Sequence, residues 1–151
     1  MPRVETGESG GAQGRLTAPF ERGHALLVPK DQPLEKGRRY VFAKNAALPI
    51  PAGEYVVRRY VIEIDSEWAI WATGTGKALT VKAGEDVKLP VATDVTLKTH
   101  IMNRRGKVQL GGAFGADGMG VSVLRGRERI GVKWRVTAGA RELGAGACDY
   151  G

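Results

Sequence analysis

Cysteine is nearly missing. Cys148 is the only one, so no intramolecular disulfide can form and stability must come from packing. Histidine is almost as scarce. His24 and His100 stand far apart, in no metal-ligand spacing, and with Cys148 they offer at most three ligands from dispersed places, so neither a metal nor another cofactor is expected. No apolar run reaches the length of a secretory leader or a membrane span, and the opening "MPRVETGESGGAQGRLTAPF" is polar and glycine-rich. The chain as written therefore reads as soluble. Residues 1–15 are expected to form a disordered lead-in, because they offer little apolar surface to offset the entropy of ordering. Helical periodicity is also lacking, and 22 glycines would penalise helices heavily.

What is present is a two-residue rhythm. From about Phe20 onward, short runs alternate apolar and polar residues and end at glycine, proline or asparagine. "VTLKTHI" sets Val95, Leu97, Thr99 and Ile101 on one expected buried side and Thr96, Lys98 and His100 on the wet side. "RIGVKWRV" does the same with Ile130, Val132, Trp134 and Val136. Runs such as "HALLV", "RRYVF", "GEYVVRRYVIEI", "EWAIWA", "ALTV", "KVQL", "GVSVL" and "RELGAG" fit the pattern. An all-β, antiparallel β-sandwich of immunoglobulin-like or transthyretin-like type follows. Hairpins are expected at Ala83-Gly84, Asn103–Gly106, Arg125-Gly126 and Ala138-Gly139, where a glycine can take positive φ.

Catalytic motifs fail on inspection. In "WATGTGKALT" a phosphate loop would need glycine at the position of Trp71, a hydroxyl residue at Ala78 and a following helix; none is there, and the segment reads as a connection between strands. Ser122 begins a nucleophile-elbow pattern, but Leu124 replaces the second glycine and the context is a strand. Asp117 is a lone carboxylate in a glycine-driven turn, too few oxygens for a calcium loop. No catalytic site is therefore expected, and the chain reads as non-enzymatic. Trp68 and Trp134 align with apolar neighbours and are expected in the core. Trp71 falls on the opposite face, read as a cover over a second packing surface, with stacking on a sugar ring or a base as the alternative.

Two phrases, Leu48–Val57 ("LPIPAGEYVV") and Leu79–Val91 ("LTVKAGEDVKLPV"), resemble the wording of carboxypeptidase regulatory-like and transthyretin-like β-sandwich modules. The match covers about residues 38–91. The closing segment, through Val136, Gly139, Glu142, Leu143, Gly146, Tyr150 and Gly151, is similar to a second β module found behind such domains in some bacterial envelope proteins. The resemblance implies a transthyretin-like module over residues 16–91 and a second β segment over 92–151, cut short where related modules continue. It also implies a structural or adhesive role, an envelope or secreted location in place of a cytoplasmic one, and no catalytic residues.

Charge supplies the remaining functional hint. The net charge is +7, and residues 103–135 hold eight cations, Arg104, Arg105, Lys107, Arg125, Arg127, Arg129, Lys133 and Arg135, against Asp117 and Glu128. If their turns share one end of the sandwich, they form a patch for an anionic polymer or surface; a solvated face that keeps the protein soluble is the plainer reading. The leading expectation is an accessory or interaction module, a structural subunit of a larger assembly with a protein partner. Its docking point would be a strand edge such as the proline-flanked strand after Pro51. A polyanion-binding module is the alternative.

Overall fold

The structure, a computed structural model, describes residues 11–116 and 119–148. The strands in chain order are β1 (Gln13–Thr17), β2 (Gly23–Pro29), β3 (Arg38–Phe42), β4 (Ala47–Pro51), β5 (Gly53–Glu63), β6 (Trp68–Val81), β7 (Asp86–Lys88), β8 (Thr96–Arg104), β9 (Lys107–Ala116), β10 (Met119–Arg125), β11 (Glu128–Arg129), β12 (Lys133–Ala138) and β13 (Arg141–Ala147). A single 3-10 turn, Leu34–Lys36, is the only helical element among the described residues. No helix among them is long and apolar enough to cross a membrane. The protein is an all-β sandwich.

The large sheet runs β3-β2-β5-β6-β10-β9-β8, with β11 paired to β10, and every pairing in it is antiparallel. A small sheet, β4-β1-β7, covers one part of it. Leu16, Ile50 and Leu89 from the small layer meet Ala25, Leu27, Tyr40, Phe42, Val57, Tyr60, Ile62, Ile70, Ala72, Leu79 and Val81 from the large one. Buried hydroxyls find acceptors: Tyr60 donates to the Ala92 carbonyl at 3.3 Å and Tyr55 to the Pro51 carbonyl at 2.8 Å. The β12–β13 hairpin forms its own two-stranded sheet.

Several expectations change. Residues 13–15, assigned to the lead-in, belong to β1, which pairs on both sides, because Leu16 buries completely between Leu48 and Val87 in register. Residues 1–10 of the expected lead-in lie outside the described residues.

The Gly-Thr-Gly segment does not join two strands; β6 passes straight through it. Val57 faces Lys77 and Arg59 faces Thr73, so residues 74–76 form a wide bulge opposite Arg58, with Gly76 at φ 60°. Arg58 is itself an extra residue against β2, where Val57 faces Leu27 and Arg59 faces Leu26, and this shifts the buried side of β5 from Tyr55 and Val57 to Tyr60 and Ile62.

Gly84 does turn at φ 75°, but it makes no hairpin. The chain instead crosses to the small sheet, where Leu89 and Val87 join the core, Gly84 N–H donates to the Gln13 carbonyl and β7 pairs with β1 in parallel. The strand after Pro51 is likewise no edge: β5 lies between β2 and β6, and Pro51 itself closes edge strand β4. The other three turns close two-residue hairpins, Arg104 opposite Lys107, Arg125 opposite Glu128 and Ala138 opposite Arg141.

Candidate interaction surface on the β8–β9 hairpin

Among the described residues, β8 is a nine-residue edge strand that pairs only with β9. Register places Leu97 beside Phe114, Ile101 beside Leu110 and Asn103 beside Val108, so these residues share one face. Phe114 packs against the core, and the stripe then runs outward along the hairpin. The expected burial of Leu97 and Ile101 is overturned: Leu97 is 50%, Ile101 74% and Val108 66% exposed. The reason is coverage. The small sheet has only three strands, and β8 and β9 extend past it.

The opposite face carries Lys98, His100, Met102, Arg104 and Lys107. Residues 96–116 hold four cations and no carboxylate. Arg105 and Gly106 form the tip at φ 51° and 74°, the left-handed pair a two-residue turn demands. Glycine accepts that conformation freely, whereas Arg105 holds it at a cost of about 1–2 kcal/mol.

The structure separates the other predicted cations. Arg125 lies 3.3 Å from Glu67 and its guanidinium sits 5.7 Å above Trp68, which is half-buried and not a full core residue because this ion pair caps it at the strand end. Arg135 pairs with Glu142 at 3.1 Å on the β12–β13 hairpin. Arg129 stacks 4.9 Å above Trp71, so a chain cation already occupies the ring face considered for ligand stacking. Arg104, Arg105, Lys107, Arg127 and Lys133 are exposed and make no ion pair among the described residues.

Among the described residues β9 and β10 pair at only two positions, Gly115 with Gly120 and Ala116 with Met119, and then diverge. Residues 130–132 turn back into the resulting wedge: Ile130 N–H donates to the Val123 carbonyl and Cys148 N–H to the Val132 carbonyl. The expected continuous strand "RIGVKWRV" is therefore broken between β11 and β12, and its apolar side is split. Trp134 is half-buried over Gly144 and Gly146, and Val136 is exposed. A cleft of about 310 Å³ remains, lined in part by Trp71, Ser122, Arg129, Val132 and Cys148. Ser122 lies half-buried in a cleft wall. Asp117 lies outside the described residues. Among the described residues, no three His, Cys, Asp or Glu side chains cluster as metal ligands would.

One group was missed by reading the chain for turns and charge runs. The tetrad Arg-Arg-Tyr-Val occurs twice, at 38–41 and 58–61, and both copies flank β2 in matching register. Tyr40 and Tyr60 face Ala25, Arg39 and Arg59 face Leu26, and Val41 and Val61 face His24. The signal was the repeated tetrad itself.

No family model, curated protein or solved structure matches the chain.

Proposed function

We propose that this chain is a non-enzymatic interaction module that docks a protein partner through the β8–β9 hairpin, as a structural subunit of a larger assembly. The observation that carries the reading is the apolar stripe Leu97–Ile101–Val108, continuous with the core through Phe114 and left uncovered. Apolar side chains in strict alternation are the pattern of a buried face, so a second surface is required to cover them. The free edge of β8 adds a row of backbone donors and acceptors suited to receiving a strand. Four cations without a carboxylate on the same hairpin favour an acidic segment with apolar residues at alternate positions. The likeness to transthyretin-like modules is in keeping with this role.

The test is size-exclusion chromatography of native extract. The wild-type chain is expected to elute with a larger assembly, and the triple variant L97S/I101S/V108S as free chain with an unchanged unfolding midpoint. A wild-type chain found only as free monomer overturns the reading. A second reading, binding of an anionic polymer, is favoured by Arg104, Arg105 and Lys107 crowning the exposed tip. It requires heparin retention that falls steeply with salt and is lost when Arg104, Arg105, Arg127 and Arg129 become serine.

A further inference from the structure

The repeated tetrad brings three nitrogen-rich side chains to one face of the large sheet, away from the β8–β9 hairpin. β2 lies between β3 and β5, so Arg39 and Arg59 rise from backbones two strand spacings apart, about 10 Å. His24 stands one row along the same face. Arg39 Nη2 lies 3.1 Å from His24 Nδ1, and the positive charges of Arg39 and Arg59 both act on the imidazole. With Nδ1 accepting from Arg39, the ring proton sits on Nε2, which gives a third N–H donor beside the two guanidiniums.

Neither arginine makes an ion pair among the described residues. The acidic group that acts on His24 is Glu63, and its carboxylate is engaged by Arg22 at 3.1 Å. Leu26, between the two arginines in register, lies under the Gly37 backbone, where an added Cβ would come within 3.1 Å of its Cδ1. The 34–37 turn therefore walls one side, and the open side is over His24. Uncompensated guanidiniums gathered around a half-buried ring repel one another, and an oxyanion between them removes that repulsion.

We propose that Arg39, Arg59 and His24 form an anion site that takes a phosphate group, carried either by a soluble polyphosphate or by a lipid headgroup. Two planar forks approaching from opposite strands, with an imidazole N–H between them, match several oxygens of one tetrahedral anion better than a single carboxylate edge. Duplication of the tetrad explains the geometry: each copy supplies one arginine at the same height on β2, and its tyrosine anchors the strand on the core side.

The experiment uses the full chain in two arms, tripolyphosphate in solution and phosphatidylglycerol vesicles diluted in phosphatidylcholine, with binding measured by calorimetry and the His24 ring followed by NMR. Binding in at least one arm is expected, with the His24 titration midpoint raised. R39S/R59S should weaken it about tenfold or more, while K88S/R141S, at exposed cations elsewhere, leaves it within about twofold. The arm that binds identifies the source of the phosphate. No binding in either arm, or equal loss in K88S/R141S, overturns the site. A near-ultraviolet circular dichroism spectrum unchanged in R39S/R59S shows that any loss is local.

Discussion

Leu16→Ala tests whether the three-stranded sheet seals the core. Leu16 is 0% exposed and sits on the central strand of that sheet, between Leu48 on β4 and Val87 on β7. Truncation removes three buried carbons and leaves a cavity that neighbours paired on both sides cannot readily collapse to fill. The expected cost is about 3 kcal/mol, within a range of about 2–5 for fully buried leucines. For a chain of this size that lowers the melting temperature by about 6–12 °C. Ile101→Ala is the matched control, since Ile101 is 74% exposed and its truncation should cost about 0.5 kcal/mol or less. Urea unfolding followed by tryptophan fluorescence gives both values in one assay. A Leu16→Ala cost below about 1 kcal/mol, or one equal to that of Ile101→Ala, would refute the two-layer core.

Gly23→Ala should be more damaging than its size suggests, because Gly23 sits at φ 153° and an added Cβ would lie 2.1 Å from the Val61 carbonyl oxygen. A loss above about 3 kcal/mol in the same urea assay is expected. Gly146→Val drives a side chain into the Trp134 ring, 2.7 Å from an added Cβ, and should red-shift indole emission while moving global stability by about 1 kcal/mol or less. Burial, then Arg39 and Arg59, hold the His24 pKa below its ordinary 6.5, with Glu63 opposing. The unfolded chain then takes up the proton first, so stability falls as pH drops below 6.5 and levels off below the folded value. Arg39→Ser should flatten that slope in pH-dependent melting, and an identical slope in both proteins contradicts the assignment.

Alternation made the strands legible because side-chain period follows directly from backbone geometry. β3 and β5 fall within runs read from it, β2, β8, β10 and β13 extend one to three residues past theirs, and β9 continues six residues beyond "KVQL". Alternation does not say what covers a face. Leu97 and Ile101 carry the same pattern as Tyr60 and Ile62, yet the former pair meets solvent and the latter the small sheet. Turn glycines were equally one-sided evidence: Gly84 fixes a reversal, while the distant pairing with β1 decides where the chain goes next. The hairpin-tip cations Arg104, Arg105 and Lys107 were visible as a charge run. The grouping of Arg39, Arg59 and His24 depends on which strands flank β2, and that choice is made by core packing far from the residues themselves.

The parallel contact between β1 and β7 has a consequence for how the chain matures. Arg15–Thr17 must find partners at Asp86–Lys88 across most of the first hundred residues, with no local hairpin to guide them. Such high contact order slows assembly, since loop closure precedes any reward from pairing. During synthesis β1 can join β4 as soon as that strand emerges, but its other edge stays open until β7 has left the ribosome, so the lid of the sandwich is fastened late.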